Sequence, residues 1–197
     1  HESPITCLTY FDEDYIVSSS QEIIKIWKLS ISACAYNIIA CEKPIKSLIR
    51  MHSNVLICGS DDGLMTIIPV NLPKLPIYKF KSKCELQLNE GVSSMLRYDD
   101  DNILIGLDDY SIELRRIEKS NSVIQYKGHQ SMVVQFVSLN ENLFISGSSD
   151  GCMKIWNSKF EIATKSLQAH SKSITKLINL SKDEFVSSSL DGTVKVW

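Results

Sequence analysis

The sequence has no excess of basic charge: across 197 residues, 21 Lys and Arg stand against 23 Asp and Glu, for a formal net charge of -2. A dedicated nucleic-acid binder would carry a basic footprint, so no nucleic-acid partner is expected. There is also no Cys-x-x-Cys pair. The six cysteines, Cys7, Cys34, Cys41, Cys58, Cys84 and Cys152, are scattered, and most lie in apolar runs where a thiol serves as a small hydrophobe. We read them as reduced. No apolar stretch approaches the roughly 20 residues that span a bilayer, and the amino terminus shows no basic segment followed by an apolar one. These absences give the expectation of a chain of the cytosol or nucleus with no membrane partner.

What the sequence does have is internal repetition, the signal to look for before any other. The segments His129 to Trp156 and His170 to Trp197 align without a gap at an offset of 41 residues. They share the His, Leu139/Leu180, Phe144/Phe185, Ser146/Ser187, Ser148/Ser189, Asp150/Asp191, Gly151/Gly192, Lys154/Lys195 and the Trp. Extending the frame backwards puts Asp109 and Asp62 at the same turn position, so the Asp spacings run 47, 41 and 41. A first copy, His1 to Trp27, is one residue short.

Each copy carries the same backbone signals. An alternating segment such as Met132–Ser138 or Ile5–Thr9 comes first. A polar tip follows, Asn140–Asn142 or Asp99–Asp101, and then a second apolar segment such as Leu143–Ser146. Next stands Asp-Gly, at Asp62-Gly63, Asp150-Gly151 and Asp191-Gly192, a dipeptide that tolerates the positive φ of a tight hairpin. A third strand such as Met153–Trp156 ends the set. A fourth short strand precedes each later His position, at Tyr36–Ala40, Cys84–Leu88, Ser122–Tyr126 and Ile162–Leu167. Four antiparallel strands every forty-odd residues describe a propeller blade.

Gly128-His129, the run Ser146 to Gly151 and Lys154-Ile155-Trp156 resemble the WD40 repeat, with its Gly-His, its later Trp and its period near 40 to 45 residues. The resemblance covers the whole chain in five repeats, approximately 1–32, 33–70, 71–117, 118–157 and 158–197. It implies an all-β propeller whose blades are tied by a buried set of His, strand Ser, turn Asp and Trp. By position these sets are His129, Ser146, Asp150 and Trp156, and His170, Ser187, Asp191 and Trp197. In the first repeat His1, Ser18 and Trp27 fit, but Gln21-Glu22 replaces Asp-Gly, so that hairpin is expected to be shortened. At about 1 kcal/mol net per hydrogen bond, a full set contributes roughly 3 kcal/mol. The second and third repeats depart from the pattern: Cys41, Cys58 and Ile68, then Leu88, Ile105 and Arg115, occupy the His, Ser and Trp positions. Losing every polar member together leaves nothing unsatisfied, and Asp62 and Asp109 are then expected to serve their turns alone.

Counting strands along the sequence assigns three to the first repeat and four to each of the others, so one blade lacks its outer strand. An open set of blades would expose sheet edges and apolar faces. The expectation is therefore five blades of a seven-bladed ring, or five completed by another polypeptide.

Three chemical readings compete with a structural one. Gly147 to Gly151 matches the G-x-S-x-G nucleophile elbow, with Ser148 as nucleophile and His129 as base, but an elbow needs a helix after the turn and the sequence here reads as a strand. The registered histidines fall in separate blades, so neither a shared metal nor any cofactor is expected. Lys74, Lys79, Lys81 and Lys83 interleave with Tyr78 and Phe80, a combination that suits a nucleic-acid backbone or, more simply, an edge kept from pairing by lysine and proline.

The resemblance implies a ligand surface at two positions per blade: Thr6 with Ser20 or Gln21, Lys46 with Asp61, Ser93 with Asp108, Val134 with Ser149, and Thr175 with Leu190. Lys46, Asp61, Ser93 and Asp108 form the candidate partner site, its acidic bias suited to a peptide carrying Lys or Arg. The function expected is a protein-interaction scaffold and not an enzyme. The alternatives are a substrate-receptor module of a ubiquitin ligase and, more remotely, a hydrolase using Ser148.

Overall fold

A computed structural model describes residues 1–51, 54–70, 84–117, 123–181 and 184–197. Its described strands are β1 Cys7–Tyr10, β2 Tyr15–Ser20, β3 Ile23–Lys28, β4 Ala33–Ile39, β5 Ile45–Arg50, β6 Val55–Ser60, β7 Leu64–Pro69, β8 Cys84–Gln87, β9 Val92–Arg97, β10 Asn102–Leu107, β11 Ile112–Arg116, β12 Val123–Tyr126, β13 Val133–Ser138, β14 Leu143–Ser148, β15 Cys152–Asn157, β16 Ala163–Gln168, β17 Ile174–Asn179, β18 Phe185–Ser189 and β19 Val194–Val196. They form five antiparallel sheets in simple sequence order, β1 to β4, β5 to β8, β9 to β12, β13 to β16 and β17 to β19. The chain divides into two compact units, His1–Val92 and Ser93–Trp197. Among the described residues no helix is long and apolar enough to cross a membrane.

Period-two patterning forms the strands. In β3 the fully buried residues are Ile24 and Ile26, with the amphipathic Lys25 and Trp27 on the opposite face. Hairpins set the register. Between β14 and β15, Gly151 closes the turn by donating to the Ser148 carbonyl at 3.1 Å. Its φ is 82°, and a Cβ there would collide with the His170 carbonyl oxygen, so only glycine fits.

Within the first unit, Val17, Ile24, Ile26, Ile45, Leu56 and Ile68 meet between the two sheets as one buried core. In the second unit, Leu104, Ile112, Tyr126, Phe136, Phe144 and Trp156 fill the space between the third and fourth sheets. Val137, Ile145, Met153, Ile174, Leu177 and Phe185 do so between the fourth and fifth. Face-to-face burial of this kind is what a blade of four short strands needs, since two strands alone are marginal in water.

The structure corrects the strand count by repeat. The first sheet has four strands and the last has three, because the strand before each histidine position pairs back onto the preceding repeat: Trp27 opposite Cys34, Met153 opposite Leu167. Sheets are therefore staggered against repeats by one strand. The first hairpin is shortened by one residue, as expected: Ser18 stands opposite Lys25 where Ser146 stands opposite Lys154, and Ser20 opposite Ile23 leaves a two-residue turn. Gln21 takes φ 51° there, a left-handed conformation that costs a side-chain-bearing residue about 1 kcal/mol.

Candidate functional site

The fifth sheet closes a complete polar set. His170, 2% exposed, has its Nε2 2.7 Å from Ser187 Oγ, and Trp197 Nε1 donates to the same hydroxyl at 2.9 Å. His170 Nδ1 lies 3.0 Å from Asp191 Oδ2 and 3.0 Å from Thr193 Oγ1. Thr193 in turn donates through Oγ1 to Asp191 Oδ1 at 2.6 Å and through its backbone N–H at 2.9 Å. The Thr193 hydroxyl, then backbone N–H groups and His170, hold the Asp191 carboxyl far below the ordinary carboxylate range.

The fourth sheet does not close. His129 Nε2 meets Ser146 Oγ at 2.6 Å and Trp156 Nε1 donates to it at 2.7 Å. Asp150, however, stays on its own hairpin, accepting the Cys152 N–H at 2.9 Å, and His129 Nδ1 is buried without a partner among the described residues. This corrects the expected four-member set of His129, Ser146, Asp150 and Trp156. The two sheets differ two residues past the aspartate. Thr193 bridges Asp191 to His170, whereas Cys152 in the equivalent place has no hydroxyl and its thiol faces Ser166 Oγ at 3.5 Å. Burial, reinforced by the Lys154 charge, pushes the His129 pKa down to about 4.

In the first sheet His1 Nε2 meets Ser18 Oγ at 2.7 Å and Trp27 Nε1 donates to it at 2.8 Å, a three-member set on the non-glycine turn. In the other two sheets the aspartates serve their own turns. Asp62 accepts from Ser60 Oγ at 2.5 Å, and Asp109 accepts the Ser111 N–H at 2.9 Å and its hydroxyl at 2.5 Å. Ile68, Leu88 and Ile105 are buried where Trp, His and Ser would stand, and Arg115 pairs with Glu113 at 2.8 Å. At the second set Cys41 Sγ and Cys58 Sγ are in contact at 3.5 Å. The sequence places these two at the His and Ser positions of the second repeat, and that shared register brings them together.

Of the candidate partner residues, Lys46 and Asp61 lie in the first unit and pair at 3.1 Å across β5 and the end of β6, with side chains about half exposed. Ser93 and Asp108 lie in the second, both half-buried, and Ser93 Oγ donates to the Val133 carbonyl at 2.8 Å. At the remaining positions Thr6 Oγ1 meets Ser19 Oγ at 3.0 Å, Ser149 Oγ meets Ser131 Oγ at 2.6 Å, Thr175 Oγ1 meets Ser188 Oγ at 2.9 Å, and Leu190 is exposed. The sequence pattern misses Tyr110. It holds φ 69° where the fourth and fifth hairpins have glycine, and its ring is 42% exposed. With Asp109, Ser111, Lys127, Gly128 and His129 it lines a cavity of about 230 Å³.

The hydrolase reading finds no geometry. Ser148 ends β14 and is fully buried, its hydroxyl has no partner among the described residues, the chain continues through a turn into β15, and His129 engages Ser146 instead. Among the described residues no group of three or more His, Cys, Asp or Glu could hold a metal ion. The lysine and aromatic segment from Lys74 to Lys83, including Tyr78, Lys79, Phe80 and Lys81, lies outside the described residues.

The WD domain, G-beta repeat (WD40) family matches residues 120–157 and 162–197. No curated protein matches the sequence. Among solved structures, the computationally designed Ika8 protein superposes with a TM-score of 0.80 at 22% identity, over 100% of this chain and 59% of that one. The β-propeller domain of Myceliophteria thermophila Cps50 (Swd1) does so with a TM-score of 0.82 at 15% identity, over 98% of this chain and 64% of that one. The chain thus spans about three fifths of the length of these structures, and at such identities the likeness establishes the fold. Residues 120–157 and 162–197 thus match the WD40 repeat family, and the five antiparallel sheets in sequence order share a β-propeller fold over 98% of the chain.

Proposed function

We propose that the chain is a protein-interaction scaffold of the cytosol or nucleus, and that Lys46, Asp61, Ser93 and Asp108, at or beside strand ends, contact a basic protein or peptide. The observation that carries this reading is the Lys46–Asp61 pair, which is exposed on a buried backbone: Ile45 and Ser60, the neighbours of the two residues, are both fully buried. Rigid sheets that position exposed loop-end side chains are the usual platform for recognition. An exposed ion pair contributes about 0 to 1 kcal/mol, so a Lys or Arg from a partner displaces Lys46 from Asp61 at little cost. The test is affinity capture with mass spectrometry on the chain and on its Asp61→Lys/Asp108→Lys variant. Basic partners should be lost while the far-ultraviolet circular dichroism is unchanged. Retention of every partner by the double variant would remove the patch.

We also infer that the sheets belong to a seven-bladed ring or are completed by another polypeptide. Support comes from apolar side chains exposed on sheet surfaces, Leu8 and Tyr10 on β1 in the first unit and Ile178, Val194 and Val196 on β17 and β19 in the second, since such patches mark contact surfaces. An experimental structure with β1 packed flush against β17 would overturn this reading.

A further inference from the structure

The repeat brings two thiols together. In three sheets the positions equivalent to residues 41 and 58 hold side chains in direct contact: His1 with Ser18 at 2.7 Å, His129 with Ser146 at 2.6 Å and His170 with Ser187 at 2.7 Å. The same backbone geometry delivers Cys41 and Cys58 to one point, where their Sγ atoms lie 3.5 Å apart. Both are free thiols. Cys58 is fully buried on β6, and Cys41 is 6% exposed in the connection between β4 and β5. Thr66 Oγ1 stands 3.7 Å from Cys41 Sγ, and the Thr66 carbonyl accepts from Cys58 Sγ at 3.8 Å. Apolar residues of the first core, Ile45, Leu56 and Ile68 among them, surround the pair.

We propose that Cys41 and Cys58 form a reversible redox pair, which a hydroperoxide closes into an intramolecular disulfide and a thiol reductant reopens. The Cys41 thiolate attacks one peroxide oxygen. An S–O bond forms, the O–O bond breaks, and the departing oxygen leaves as hydroxide, which takes up the proton lost from the thiol and becomes water. The Cys58 sulfur then attacks the Cys41 sulfenic sulfur. The S–S bond forms, the S–O bond breaks, and the hydroxide so expelled takes the Cys58 proton. Two thiols and one hydrogen peroxide thus give one disulfide and two waters, with both sulfurs oxidised and the peroxide oxygens reduced. A dithiol reverses the change by exchange, becoming a disulfide itself.

The order of attack follows from position. Cys41 sits in a connection that opens more readily than a central strand, and thiolate character with access decides which cysteine reacts. The contact with Cys58 lowers the Cys41 pKa. The same contact, with burial, raises that of Cys58 well above the ordinary thiol value. Shortening the contact from 3.5 Å to the roughly 2 Å of a disulfide is taken up by the same connection. Cys7 and Cys152 have their closest sulfur contacts with the Lys46 carbonyl and with Ser166 Oγ, so among the described residues neither has a thiol poised to resolve a sulfenic acid.

The test is a cysteine map of the chain before and after hydrogen peroxide, with catalase quenching, alkylation in denaturant and unreduced tryptic digestion. Trypsin cuts after Lys46 and Arg50 and so separates the two cysteines, and fragmentation of the linked pair distinguishes Cys41 from Cys34, which shares its peptide. The expected result is a cross-linked peptide pair containing Cys41 and Cys58, lighter than the sum of its parts by two hydrogens, present after peroxide and gone after dithiothreitol. The thermal midpoint of the oxidised chain should also rise above that of the reduced chain, because a cross-link restricts the unfolded state. Recovery of Cys41 and Cys58 as alkylated thiols after peroxide would overturn the proposal. So would their oxidation singly to sulfinic acid, or their linkage to other cysteines in preference to each other. The map is read on the unaltered chain, so its outcome does not depend on the folding of a Cys58→Ser variant, which should give no link.

Discussion

The fourth and fifth sheets carry the same four side chains at the same spacing, yet they are held by different forces. In the fourth, Trp156 is fully buried within an aromatic cluster: Tyr126 lies 5.6 Å from it and 5.2 Å from Phe144, and Phe144 stacks on Trp156 at 6.2 Å. Its polar set is open at Asp150. In the fifth, Trp197 is 37% exposed and stacks on Phe185, while the polar set closes through Thr193. One polar set is open and the other closed. The recurring His, Ser, Asp and Trp therefore do not by themselves fix the network; a residue outside that pattern, threonine or cysteine, decides whether the aspartate reaches the histidine.

The most direct challenge to this contrast is to remove the tryptophans. Trp156→Ala should cost about 4 kcal/mol, as large-to-small changes in a filled core do, and Trp197→Ala about half that because part of its surface is already in water. Urea unfolding at neutral pH measures both, and equal losses would mean the two sheets are held alike.

Acid should separate them next. His129 is buried neutral with its pKa near 4 against an ordinary 6.5, so as pH falls the unfolded chain takes up the proton first. Its contribution is therefore whole above about pH 6.5 and disappears between there and about pH 4, a loss of roughly 3 kcal/mol. Asp191 acts in the same sense but in a lower pH window. Its carboxyl is depressed, so its contribution persists until pH drops below the unfolded carboxylate value of about 3.9. Urea midpoints followed against pH should lose their upper transition in His129→Gln and keep it in Asp191→Asn. Survival of that transition in His129→Gln would show that another group produces it.

Truncating the histidines gives a smaller contrast of opposite sign to that of the tryptophans. His170→Ala removes contacts to Ser187, Asp191 and Thr193 and should cost roughly 2 to 3 kcal/mol, while His129→Ala, which loses the contact to Ser146, should cost about 1 to 2 kcal/mol. The smallest effect comes from converting one sheet into the other. Cys152→Thr supplies the missing hydroxyl, should draw Asp150 onto His129 Nδ1, and should add about 0.5 to 1 kcal/mol. Nuclear magnetic resonance titration of the imidazole would then show the His129 pKa moving upward; no movement would mean that Thr193 is not what closes the fifth set.

Much of this fold is readable from the chain, and what escapes has a common cause. Outer strands such as Ile162–Leu167, found as β16 Ala163–Gln168, and hairpins at Asp-Gly are local signals, carried by alternation and by the φ that glycine permits. The closure at Asp191 and its failure at Asp150 depend on which way a side chain turns two residues away, a matter of tertiary geometry and not of period. Tyr110 breaks the glycine rule at its hairpin, and no pattern based on Asp-Gly would find it. Cys41 and Cys58 show the limit most clearly: composition marks them as apolar filling, and only their register with histidine and serine puts one thiol against the other.

The stagger of sheets against repeats governs how the chain is made. Because β4 pairs onto β3 and β16 onto β15, a repeat leaving the ribosome cannot finish its own sheet. It waits with one bare hydrogen-bonding edge until the opening stretch of the next repeat has emerged. Throughout synthesis an unfinished edge therefore travels along the nascent polypeptide, and a bare edge of that kind is a template for a stray strand.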